Sequence, residues 1–355
     1  MNHPLVERAR TEGTPLIDPV ANTTGDAADT RVATFVWAGK RAPRLIGDFC
    51  GWEDGDPVVL VKEAPSVWTY RLALPKDAYM EYVFVDGDQR LDDPFNLRRV
   101  SNGMGKYNQY FYVTPGLQPP ALPRRLKGQV ERHVIEAEHL MAGLRRNVYL
   151  YRPATEQPVP LVVVWDGRDY LRRARLDVIV DTLISQGRIC PLALAMVDNG
   201  RQARTLEYAC SEATLGLLYE AVLPLARQHL NLVDVSEQPG AYGVLGASMG
   251  GLMALYTGLR MAGIFGHVLS QSGAFTLDDY DSVVFELVEH GPRRDLKVWL
   301  DVGLYDLHPL LPSNRRMRAA LAARGYGVGY NEYPAGHNYN AWREDVVKGL
   351  EFLYG

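Results

Sequence analysis

The chain has 355 residues, 47% of them hydrophobic and 23% charged, enough apolar material for a sizeable core and, at this length, for two domains. A formal net charge of -4 gives no case for bulk attraction to nucleic acid or an anionic membrane. No apolar run approaches the roughly 18 residues of a spanning helix.

The N-terminus, Met1 to Arg8, places Glu7 where a secretory signal would begin its apolar segment, so a cytoplasmic protein is expected. Cys50, Cys190 and Cys210 lack Cys-x-x-Cys spacing and read as reduced, buried thiols. Residues 1–29 are polar and turn-rich and are expected to form a loosely ordered lead-in. Residues 30–114 then show short alternating strands, among them Val32 to Trp37, Trp68 to Leu74, Tyr79 to Val85 and Gln109 to Val113. Period-two alternation with an Asp86-Gly87 turn predicts a small β-sandwich. The four prolines between Thr114 and Arg125 mark a semi-rigid linker over 115–130. From 131 to 355 strands alternate with helices, which predicts a mainly parallel sheet covered on both sides. Its strands include Leu161 to Trp165, Pro191 to Val197, Ala241 to Leu245 and Val298 to Val302. Helices are expected over 171–186, 214–230, 252–261, 313–324 and 342–353.

The chemistry gathers around Gly246-Ala-Ser248-Met-Gly250, a G-x-S-x-G turn between an apolar strand and a helix. A serine hydroxyl at neutral pH needs a base, and the base needs an orienting acid. His337 follows the last strand and has the flexible Gly336 before it. His229, His267 and His290 fall on helix ends or inside a strand. Asp306, after the turn Gly303 to Tyr305, is the expected acid, with Asp301 inside the strand as its competitor. The Met249 backbone N–H, at the start of a helix, is one expected oxyanion donor. A second is expected from the loop Asp166-Gly167-Arg168, with Arg168 N–H as the choice.

Gly47 to Trp52, Trp68, Glu81 to Gly87 and Asp93 to Asn96 resemble, in order, the motifs of the glycogen-binding module of kinase β subunits and branching enzymes. That resemblance implies sugar rings stacked on tryptophans. Gln89, Arg90 and Val83 stand where glucan-binding members carry a tryptophan and a lysine, which leaves Trp52 and Asn108 as the platform. A domain that walls the catalytic cleft is the other reading. Residues 131–355 resemble the enterochelin esterase family of esterase D-like α/β-hydrolases. The carrying segments are Val164 to Arg168, Arg204 to Tyr208, Gly246 to Gly251, Phe265 to Gly273 and Gly336 to Arg343. The resemblance implies an α/β-hydrolase domain with Ser248 as nucleophile, His337 as base, and Arg168 and Met249 as oxyanion donors. It also implies substrate contacts from Asp166, Gly167, Arg204 and Trp342. Arg168, Arg172, Arg173, Arg201 and Arg204 would suit an acidic catecholate; the alternatives are a solvated helix face for Arg172 and Arg173 and an Arg204–Glu207 ion pair. A serine esterase on a small-molecule ester is therefore expected, without cofactor, metal, nucleic acid or membrane partner, and with oligomeric state open. A feruloyl or acetyl sugar esterase and a non-catalytic glycan-binding protein are the alternatives.

Overall fold

The computed structural model describes residues 3–19, 29–52, 55–56, 58–114, 116, 118, 122–123, 125–137, 139–140, 145–277 and 280–355. The chain divides into two compact units. The first is Met1–Pro120 together with Gly303–His308 and Tyr333–Ala341; the second is Ala121–Val302, Pro309–Glu332 and Trp342–Gly355. The proline-rich linker segment falls partly on residues outside this description, and its last residues enter a strand.

The first unit opens with helix α1 (Pro4–Glu12) and strand β1 (Leu16–Pro19), so the lead-in is ordered over these residues. Proline at the first helical turn, Glu7 early and Arg10 late suit the helix dipole. Val6, Ala9 and Leu16 bury themselves with Val36 and Val67, which is what fixes a stretch that looks polar overall. The sandwich follows: β2 (Thr30–Ala38), β3 (Arg44–Gly47), β4 (Val58–Val59), β5 (Val61–Ala64), β6 (Val67–Pro75), β7 (Tyr79–Asp86), β8 (Gln89–Leu91), β9 (Arg99–Ser101) and β10 (Tyr107–Tyr112). One sheet has the order β1-β2-β6-β5, and the other β4-β3-β7-β10-β9 with β8 on β7. Phe35, fully buried, is central to the core between them, with ring centroids 4.9 Å from Tyr82, 5.5 Å from Phe49 and 5.8 Å from Phe111. Tyr305 packs against the same core.

The second unit is built on an eight-stranded sheet. Its strands are β11 (Gln129–Ile135), β12 (Arg146–Arg152), β13 (Leu161–Trp165), β14 (Ala193–Val197), β15 (Tyr242–Ala247), β16 (Phe265–Gln271), β19 (Lys297–Tyr305) and β20 (Gly327–Gly336). The order is β11-β12-β14-β13-β15-β16-β19-β20, and Gly303–Tyr305 and Tyr333–Gly336 are counted with the first unit. A two-residue ribbon, β17 (Thr276–Leu277) and β18 (Tyr280–Asp281), lies outside that sheet. Pairing is antiparallel through β11, β12 and β14, then parallel through β13, β15, β16 and β19. The parallel strands β13, β14 and β15 are buried at every residue, as covered sheets require. Helices are α2 (Gly167–Asp169), α3 (Leu176–Ser185), α4 (Arg204–Tyr208), α5 (Glu212–Leu217), α6 (Leu223–His229), α7 (Met249–Arg260), α8 (Val283–Glu289), α9 (Leu310–Ala323) and α10 (Tyr339–Tyr354). The helix expected over 171–186 is interrupted: Tyr170–Ala174 form a wide π turn, and Arg175 at φ 55° restarts the chain into α3. Cys190 is exposed, and Cys50 and Cys210 are half-buried, which corrects the reading of three buried thiols. All three are free, and burial pushes the Cys210 thiol up to about 12. Among the described residues no helix is long and apolar enough to cross a membrane.

Phe35→Ala removes the ring on which four others, those of Phe49, Tyr70, Tyr82 and Phe111, converge and is expected to cost about 3–5 kcal/mol. Urea unfolding followed by near-ultraviolet circular dichroism measures it, and a loss below about 1 kcal/mol would contradict this view of the core.

Candidate active site

Strand β15 ends at Ala247, and Ser248 stands at φ 59°, ψ −124° as the N-cap of α7. A side chain is strained in that region by about 1–3 kcal/mol, so neighbours must hold it there. The Ser248 N–H donates to Gln271 O at 2.9 Å, and its carbonyl accepts from Leu252 N–H and Ala274 N–H, both at 3.1 Å. Gly246 is required by close approach: a Cβ there would lie 2.3 Å from Gly250 O. Met249 is the first residue of the twelve-residue α7, so its N–H belongs to the helix's unpaired N-terminal set.

The loop after β13 is set by an ion pair between the buried Asp166 and the partly exposed Arg204. Asp166, left-handed at φ 57°, takes Arg204 on both oxygens, Nε at 2.7 Å and Nη2 at 2.6 Å, and Asn199 Nδ2 also donates to it. Arg204 Nη2 lies 3.3 Å from Ala247 O as well, so one guanidinium ties this loop to the elbow strand. Asp166 and Arg204, both expected at substrate, are thus partners of each other. Gly167 and Arg168 open α2, with the Arg168 side chain on Asp198 at 2.8 Å. Arg172 is exposed, Arg173 reaches Asp169 at 3.5 Å, and Arg201 is exposed at φ 55°. Glu207 is held by Arg146, whose nitrogens donate to its two oxygens at 2.7 Å each, and it also takes the Gly200 N–H at 2.8 Å. Arg146, Asp198 and Asn199 escape the sequence reading, since each acts on a partner at least 30 residues away.

Asp306 and His337 both belong to the first unit. Strand β19 runs to Tyr305, and the buried Asp306 carboxylate beyond it accepts from Leu307 N–H at 2.8 Å and Gly303 N–H at 3.3 Å. His337 Nδ1 lies 2.7 Å from Asp306 Oδ1, so the aspartate fixes the Nδ1–H tautomer and leaves Nε2 as the basic atom. Asp301, the competing acid, is held elsewhere: Gln271 Nε2 and Trp299 Nε1 donate to it at 3.1 and 3.0 Å. Burial, and then Asp345, push the Asp301 carboxyl well above the usual range. Trp342 is buried, and its Nε1 donates to Ser272 Oγ at 3.0 Å within the second unit.

The residues left for a sugar platform are engaged in the sandwich. Trp52 Nε1 donates to Asp48 at 2.9 Å and its ring packs on Ile46, Val83 and Val85; buried Asn108 joins Arg90 to Glu81. Among the described residues one group resembles a metal-ligand set, Glu131, His133 and His229, on β11 and the end of α6. Its donor atoms lie within 4.8 Å of one another. Glu131 also faces Arg152 at 3.4 Å.

Residues 141–353 match the model of the putative esterase family. Among curated proteins, the chain is 28% identical over 228 residues to an iron(III) enterobactin esterase of Dickeya dadantii, covering 59% of this chain and 52% of that protein, about half its length. It is 24% identical to an iron(III) salmochelin esterase of Escherichia coli, covering 96% of this chain and 91% of the relative. In fold it is similar to the ferric enterobactin esterase of Salmonella typhimurium, with TM-score 0.81, 20% identity and 98% of both chains covered. A ferulic acid esterase gives TM-score 0.54 at 15% identity, over 65% of this chain and 99% of that one.

Arg146→Met strands the Glu207 carboxylate in the interior and is expected to cost about 3–5 kcal/mol. Chemical denaturation checks this, and a neutral effect would show that the pair does not hold α4 in place.

Proposed function

The chain belongs to the putative esterase family; on that premise we propose that it is an ester hydrolase working through a Ser248, His337 and Asp306 triad by way of an acyl-enzyme. The observation that carries this reading is the strained Ser248 backbone at a strand-to-helix turn, supported by the Asp306 carboxylate on His337 Nδ1. In the proposed reaction Ser248 Oγ attacks the ester carbonyl and its proton passes to His337 Nε2. The resulting imidazolium is stabilised by Asp306. The tetrahedral oxyanion is met by the backbone N–H of Met249 and of Arg168. His337 returns the proton to the leaving alkoxide; water, deprotonated by the same nitrogen, then attacks the acyl carbon, the bond to Ser248 Oγ breaks, and the proton passes from His337 to that oxygen as the acid leaves.

The proposed substrate is a catecholate siderophore ester. The likeness to a ferric enterobactin esterase extends over 98% of this chain, sandwich included, whereas the likeness to a ferulic acid esterase extends over 65%. Exposed Arg172 and Arg201 would meet catecholate oxygens, and Arg204, tied to Asp166, would act by holding the loop. The sandwich serves in this reading as part of the esterase and not as a glucan reader.

Ser248→Ala should reduce hydrolysis of a short p-nitrophenyl ester to background. Asp306→Asn should lower kcat by about 10³–10⁴-fold through the wrong tautomer, and Asp301→Asn by less than about tenfold. Undiminished turnover in Ser248→Ala would remove the serine from the mechanism. A panel of a ferric catecholate trilactone, methyl ferulate and acetylated sugar tests the substrate: kcat/KM highest on the trilactone is expected, and a preference for either of the others would overturn the siderophore reading.

A further inference from the structure

The segment around His337 is gripped inside the first unit by buried polar groups that ester hydrolysis itself does not use. Asp48 is the first residue of the turn after β3 and is buried. Its Oδ1 accepts from Trp52 Nε1 at 2.9 Å and its Oδ2 from the Glu81 backbone N–H at 2.8 Å, which leaves the carboxyl one orientation. Gly336, the residue before the base, lies directly against it: a Cβ there would stand 2.2 Å from Asp48 Cγ. Asn338, the residue after the base, has its Nδ2 3.4 Å from Asp48 Oδ2, and its Oδ1 accepts the Ala341 N–H at 2.9 Å at the start of α10. Two residues on, Asn340 Nδ2 donates to Tyr79 Oη at 2.7 Å, and that hydroxyl donates to Glu81 Oε1 at 3.0 Å. Residues 336, 338 and 340 are therefore held by Asp48 and Tyr79, which Glu81 joins into one network.

We infer that Asp48 and Tyr79, from the β-sandwich, are positioning residues for His337, fixing the backbone on both sides of the base so that its ring stays on Asp306. This rests on the reading of His337 as the base. Stability alone is a poor account of the network. Burial, then the neighbouring Glu81 carboxylate and more weakly Asp306, push the Asp48 carboxyl well above its ordinary range. An acid whose folded pKa is raised costs stability once pH exceeds its unfolded value, so at neutral pH the fold carries this carboxyl at a cost. A small displacement of a catalytic group is, by contrast, expensive in rate.

The test compares full-length Asp48→Ala, Tyr79→Phe and His337→Ala on a short p-nitrophenyl ester, with active sites titrated by a fluorophosphonate and melting temperatures recorded. Per titrated site, Asp48→Ala should lose about 100-fold and Tyr79→Phe about 5–10-fold in kcat with KM unchanged. Tyr79→Phe, which deletes a single hydroxyl, should melt close to the parent and decides the matter if Asp48→Ala does not fold. A purely structural role would lower the number of titrated sites and leave kcat per site within about twofold; that result, with His337→Ala inactive, overturns the inference alone. Substantial activity in His337→Ala would overturn the base assignment and the inference with it.

Discussion

A single residue of backbone, Ser248 at φ 59°, is the constraint to which the second unit conforms. Nothing in a side chain favours that conformation, so its cost must be met by packing and hydrogen bonds around it. The chain supplies these from three directions: Gln271 at the end of β16, Ala274 beyond it, and the first turn of α7. Gly246 lets the helix close onto the strand it has just left. The elbow strand β15 and its neighbour β13 are buried at every residue, which gives the elbow a closely packed support.

Near the elbow, two buried carboxylates are each answered by an arginine. Asp166 is answered by Arg204 on both oxygens, and Glu207 by Arg146 in the same bidentate manner. These forks fix planes as well as distances, which is why arginine and not lysine occupies both places. The consequence is a loop after β13 whose backbone is set by partners from α4 and from the elbow strand, before any substrate arrives. Preorganisation of that kind suits the backbone N–H donors proposed for the oxyanion.

How much of this was legible depended on range. The elbow was readable because its glycines, serine and flanking strand and helix all lie within a short stretch. The alternating sandwich strands and the continuous apolar strands of the sheet were readable for the same reason. Asp306 could be ranked above Asp301 because it follows the strand and Asp301 lies inside it, but β19 extends to Tyr305, beyond the Val298 to Val302 run, and spacing alone gave no view of the contact of Asp306 with His337. The Arg146–Glu207 pair spans 61 residues, beyond the reach of any local reading around Glu207. Helix α1 was hidden because only Val6 and Ala9 of its nine residues are buried, too few for a periodic signal. Asp48 was hidden by its setting: in a turn motif that resembles a sugar-binding module, its role beside Gly336 depends on a residue nearly 300 positions away.

The central claim is that Ser248 is an activated nucleophile, and the most direct measurement of it is intact-protein and peptide mass spectrometry after brief exposure to a fluorophosphonate. One adduct per chain, carried by the peptide containing Ser248 and lost when the protein is unfolded before exposure, is the result expected. No adduct on the folded protein, or an adduct on a different residue, would contradict the account.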